Sequence, residues 1–131
     1  MRLPALFFAA AALAFGADPP KDVGDFFVSA VRALADQDSA AFLDHFDRNM
    51  PGFAEFRGDV IALVDRSEVV STVGFVTDDG DDSRRILQLD WYVQIDDDRP
   101  ERQIVKCTIE RQGKKWKIVS FEPLDFFKPR P

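Results

Sequence analysis

Cysteine is nearly absent from this 131-residue chain: Cys107 is the only one. That excludes a disulfide framework. One histidine, His45, beside one cysteine is also too small a ligand set for a structural or catalytic zinc site. Positive charge is short, with 17 Lys and Arg against 23 Asp and Glu and a net charge of −6. A net-negative chain lacks the electrostatic footprint of a nucleic-acid binder. The 7 glycines form no phosphate-cradling loop. There is no G-x-S-x-G elbow and no Ser/His/Asp constellation. No cofactor is expected.

Long apolar runs are confined to the start, "MRLPALFFAAAALAFGADPP". One Arg, an apolar stretch from Leu3 to Phe15 and a small-residue exit describe a secretory signal peptide. The run is too short for a comfortable membrane span. Ala14 and Gly16 at minus-three and minus-one place cleavage before Ala17, giving a signal peptide over 1–16 and one domain over 17–131. The mature chain then has 16 basic and 23 acidic residues, a net −7. A bacterial protein exported to the periplasm or beyond, with no membrane span once mature, is the expectation.

What is abundant is phenylalanine, 13 residues, enough apolar bulk for a real interior. Between Lys21 and Arg66 the apolar spacing is helical. Val23, Phe26, Phe27, Ala30, Val31 and Leu34 form one stripe that ends near Asp36. Asp38 or Ser39 caps a short second helix with Phe42, Leu43 and Phe46. "RNMPGF" interrupts it, and Pro51 suits the first turn of a third helix bearing Phe53, Phe56, Val60, Leu63 and Val64.

After Arg66 the period becomes two. Strands are expected at 67–77, 83–96, 101–111 and 115–122, separated by short turns. Short connections imply an antiparallel meander. In "ILQLDWYVQI", Leu87, Leu89, Trp91, Val93 and Ile95 share one face, and Ile86, Gln88, Asp90, Tyr92 and Gln94 the other. The first face is more apolar and should be buried. Val119 and Phe121 break parity with Trp116 and Ile118, which implies a bulge or a buried outer patch. Helices followed by strands give an α+β domain with three helices on one face of an antiparallel sheet.

The element order, with "FLDHFD" running into "MPGF" and the terminal strand "KKWKIVSFEP", resembles the nuclear transport factor 2-like superfamily. That resemblance implies a cystatin-like cone, in which a curved sheet of four or more strands wraps the helices around an internal pocket. The superfamily includes isomerases, dehydratases and cyclases as well as non-enzymatic binding and dimerisation domains, so the fold does not choose the function. Enzymes of that shape resembling steroid isomerases project Asp, His or Tyr inward with pKa values set by burial.

Here the inward strand positions offer Ser71, Gln103, Ser120 and aromatics, with no placed ionisable group. An acid or base would have to come from "FLDHFDRN", where His45 and Asp47 flank opposite sides of the buried arc. They are the candidate general bases of an isomerase or lyase. A pocket in the cone would be lined by Phe26, Phe46, Phe56, Phe75, Leu89, Trp91 and Trp116 and would take a small apolar ligand. The outer sheet face, with Tyr92, Ile104 and Thr108, would pair two copies as a homodimer. Cys107 reads as a small buried hydrophobe. The acidic turns "TDDGDD" and "DDDRP" lack the calcium-loop pattern and fall at opposite ends of a meander, so no metal site is expected. The chain thus reads as an exported non-catalytic domain, either ligand-binding or an interaction module.

Overall fold

Burial along the second strand alternates as its sequence does. Leu87, Leu89, Trp91, Val93 and Ile95 are buried while Ile86, Gln88 and Tyr92 are exposed. The computed structural model describes residues 18–129, so the expected signal peptide lies outside the described residues. Among the described residues, helices α1 (Lys21–Ala35), α2 (Ser39–Leu43) and α3 (Phe53–Val64) precede strands β1 (Val69–Gly80), β2 (Arg84–Ile95), β3 (Glu101–Gln112) and β4 (Lys115–Glu122). The sheet is antiparallel and open, in the order β1-β2-β3-β4.

Helix α1 buries Val23, Phe27, Ala30, Ala33 and Leu34, as its 3.6-residue stripe requires; Phe26 is only half-buried. It ends in a Schellman turn. Gln37 takes a left-handed φ of 56°, Asp38 N–H donates to Ala33 O at 2.9 Å and Gln37 N–H to Leu34 O at 3.1 Å. The Gln37 side chain then ties α1 to the end of α3, donating to Val64 O at 3.3 Å and Ser67 O at 3.1 Å. Asp38 caps α2 by accepting from Ala41 N–H at 3.0 Å.

Pro51 falls before α3 rather than in its first turn. Phe53 N–H donates to Met50 O at 3.0 Å and Gly52 has φ 76° and ψ 11°. That is a type II turn with Pro at its second position and Gly at its third, and Gly52 becomes the N-cap.

Two irregularities set side-chain parity. In β1 the register shifts between Phe75 and Thr77, so Thr77 faces Gln88 and Asp78 faces Leu87. This bulge carries β1 past its expected end to Gly80. In β4 the shift falls at Val119, which lets Trp116, Ile118 and Phe121 all turn inward. Cys107 lies between Val105 and Ile109, wholly buried, and burial pushes its thiol pKa up.

Candidate functional site

The space between sheet and helices is filled with rings. Phe46 and Phe56 lie 4.7 Å apart, and Phe121 meets Phe56 at 5.4 Å and Trp91 at 5.9 Å. The chain beyond β4 turns back and inserts Phe127, 1% exposed, against Phe42 at 5.3 Å, Trp91 at 5.6 Å and Phe126 at 5.0 Å. The seven residues expected to line one cone pocket therefore divide. Phe56, Leu89 and Trp91 are closed in the core, Phe46 borders a cleft beside α2 and α3, Phe75 borders a groove between α1 and β1, and Phe26 and Trp116 border a third cleft. Phe126 and Phe127 of the tail, 5% and 1% exposed, pack into this ring cluster against Trp91.

His45 and Asp47 face different clefts. The His45 Nδ1 lies 2.9 Å from Ala41 O and 3.2 Å from Phe42 O, both pure acceptors, so that nitrogen carries the proton. Its Nε2 lies 3.1 Å from Ser29 Oγ, which joins the turn after α2 to α1. Both ring nitrogens are thus engaged, and the ring packs edge-on to Phe26 at 5.0 Å. Asp47 accepts from Asn49 N–H at 2.7 Å and from Gln112 Nε2 at 2.5 Å. These bonds hold its carboxyl below the usual carboxylate range, the Asn49 amide contributing most. A base needs the opposite shift to work near neutral pH. The 45–47 segment also pairs with β4: Asp47 N–H donates to Ile118 O and Ile118 N–H to His45 O, both at 2.8 Å.

Sequence reasoning missed two ionic groups. The inward face does carry charge: Arg85 Nη1 meets Asp78 Oδ1 at 2.9 Å, with side chains 13% and 6% exposed. Arg85 shares the parity of Leu87, and the β1 bulge turns Asp78 toward it; the alternation of "RRILQL" was the available signal. Asp22, at the start of α1, accepts from Arg111 Nη2 at 2.9 Å and Trp116 Nε1 at 3.0 Å, and the Arg111 guanidinium stacks 4.3 Å over the Trp116 ring. Arg111, then Trp116, lowers the Asp22 pKa. Of the polar inward candidates, Ser71 is buried with an unpartnered Oγ, Gln103 is exposed, and the β4 bulge sets Ser120 opposite Thr108 on the outer side.

On the outer face Tyr92 and Ile104 are 37% and 52% exposed. Thr108, expected beside them at an open surface, is instead buried, flanked by Ile86 on β2 and by Ser120 at the register shift. Arg102 clasps Asp90 through Nε at 2.8 Å and Nη2 at 2.5 Å, which lowers the Asp90 pKa. The groove between α1 and β1, about 750 Å³, is walled by Phe27, Val28 and Val31 on the helix and by Val70, Ser71, Val73 and Phe75 on the strand. Among the described residues no three His, Cys, Asp or Glu side chains converge, and no helix is long and apolar enough to cross a membrane.

No protein-family model matches the chain, and no curated protein matches it. Solved structures do. A designed nuclear transport factor 2-like protein superimposes with a TM-score of 0.62 at 14% identity, over 76% of this chain and 93% of the designed one. A protein of unknown function with a cystatin-like fold from Nostoc punctiforme gives 0.57 at 16% identity, over 76% of this chain and 85% of that one. The chain has the cystatin-like fold. Bd1075 of Bdellovibrio bacteriovorus also matches, with a TM-score of 0.65 and 16% identity over 78% of this chain. The match spans only 40% of Bd1075. At these identities the likeness concerns architecture alone.

Proposed function

We propose that this protein is an exported, non-catalytic interaction domain that works as a homodimer, pairing through the outer face of its sheet. One observation carries the reading. Of the five large hydrophobic side chains exposed among the described residues, four lie on that face: Val70, Ile86, Tyr92 and Ile104, between 37% and 52% exposed. Apolar residues concentrated on one strand face mark an interaction surface, whereas singly scattered ones do not. A twofold pairing sets this patch against itself, so its charges must be tolerated there. Asp90 and Arg102 enter already bonded to each other, and Arg84 lies 3.7 Å from Glu110. Their desolvation is thereby partly offset within each subunit.

A small apolar ligand inside the cone has less in its favour, since the ring cluster fills that space. Proton-transfer chemistry through His45 or Asp47 has less still: one ring has both nitrogens engaged, and the carboxyl, its pKa lowered by the Asn49 amide, faces a different cleft. The test is Tyr92→Glu followed by sedimentation equilibrium. The parent protein should sediment as a dimer and the variant as a monomer that still unfolds cooperatively, because Tyr92 stands outside the core, with a melting temperature that no longer rises with protein concentration. A parent protein that stays monomeric at high concentration removes the proposal.

A further inference from the structure

The two edges of the sheet are treated differently. The β4 edge is covered by the 45–47 segment, with two backbone bonds of 2.8 Å to Ile118. The β1 edge has no such cover: among the described residues its backbone pairs with β2 alone. Proteins ordinarily blunt an open edge with charge or proline. The run from Val69 to Val76, "VVSTVGFV", contains neither, and the β1 bulge falls only at its end, at Val76.

Beyond that edge runs the α1–β1 groove. Gln37, just after α1, bonds to Ser67 just before β1, and Phe27 meets Phe75 at 5.5 Å, so helix and strand run antiparallel along it. Val28 and Val70 stand at its rims, 54% and 48% exposed. Ser71, 5% exposed, lines it with a hydroxyl that has no partner. A fifth strand added beside β1 would direct alternate side chains beneath α1 into this groove, while its backbone satisfied the free edge.

The charged residues lining the groove itself are Lys21, Asp25 and Arg32, with Asp36 after α1 and Glu68 before β1 beyond its Arg32 end. Arg32, late in α1 and therefore near the start of β1, has no side-chain partner among the described residues. Past the other end stand Asp79, Asp81 and Asp82. Lys21 and Asp25 between them neutralise each other at 2.8 Å.

We infer that the β1 edge is a strand-addition site for an extended peptide segment of a partner protein. The segment runs antiparallel to β1, is apolar at alternate positions, has a cationic N-terminal end beside Asp79 and Asp82, and has a carboxylate beside Arg32. Seven residues, about 23 Å at 3.3 Å each, match Val70–Val76. The inference does not rest on the homodimer, although Val70 borders both surfaces.

The probe is the heptapeptide Lys-Val-Thr-Val-Thr-Val-Glu with free termini, added to the full chain and read by amide hydrogen exchange. At about ten times its Kd the peptide should slow exchange of the β1 amides that face away from β2 about elevenfold, the factor 1 + [L]/Kd. The sequence-swapped Glu-Val-Thr-Val-Thr-Val-Lys should bind several-fold more weakly, and Arg32→Glu should narrow that difference. The monomeric Tyr92→Glu variant should bind the first peptide as the parent does. Equal binding of both peptides, or protection confined to β4 or to the outer face, overturns the inference. So does a β1 edge already protected without peptide, whether by a second copy, seen as concentration dependence, or by residues 1–17 of the same chain, seen as its absence.

Discussion

Phe127→Ala tests whether the tail is part of the core or a cover laid over an open cone. The side chain is 1% exposed and its ring meets those of Phe42, Phe56, Trp91, Phe121 and Phe126 at centroid distances of 5.0 to 6.2 Å. Truncating such a phenylalanine removes the transfer free energy of the ring and leaves a cavity that the walls only partly close, a loss of about 3–5 kcal/mol. At about 4 °C per kcal/mol for a domain of this size, the melting temperature should fall by roughly 12–20 °C. Urea unfolding should give a lower midpoint with an unchanged slope, since the surface exposed on unfolding hardly changes. The vacated space is apolar and should stay dry, so benzene should stabilise the variant and leave the parent protein unaffected. A loss below about 1 kcal/mol would show that the tail only rests on the domain. Benzene stabilising parent and variant alike would show that the cone is open, and the argument from ring packing would fail.

Gly52 and Gly58 make a matched pair in urea denaturation. Gly52→Ala should cost about 1–2 kcal/mol, because φ is 76° and a Cβ would meet Leu124 Cδ2. Gly58→Ala, with open space around its Cβ in an exposed turn of α3, should instead gain about 0.5–1 kcal/mol. Because Arg111 and Trp116 depress the Asp22 pKa, the stability this carboxylate contributes is present above about pH 3.9 and is lost as pH falls through the lower folded value. Trp116 emission should therefore titrate with a midpoint below 3.9 and lose that step in Asp22→Asn. Cys107 should resist a thiol reagent in the native protein, since burial raises its pKa, and should react fully once guanidinium unfolds the chain.

The sequence by itself determined the order of elements, the meander and the parity of β2. A period of two leaves one register in which Leu87, Leu89 and Trp91 are buried together, and a slip of one residue would expose all three. Broken parity at Val119 marked the β4 bulge, whereas the helical spacing read through Phe46 overran α2, which ends at Leu43 and leaves His45 and Asp47 in the segment paired with β4. Only the tertiary structure decided what fills the cone. Phe126 and Phe127 are apolar in any reading, but their seat is set by contacts with Phe42 and Trp91, distant in sequence, which no local pattern encodes. The same holds for Asp22, joined to Arg111 across 89 positions. Asp78 shows the reason most directly. Strict alternation from Phe75 turns it outward, and the single unpaired residue at the β1 bulge reverses that, putting a carboxylate inside against Arg85. A bulge is chosen by how two strands fit each other, so its effect becomes visible only when both are in place.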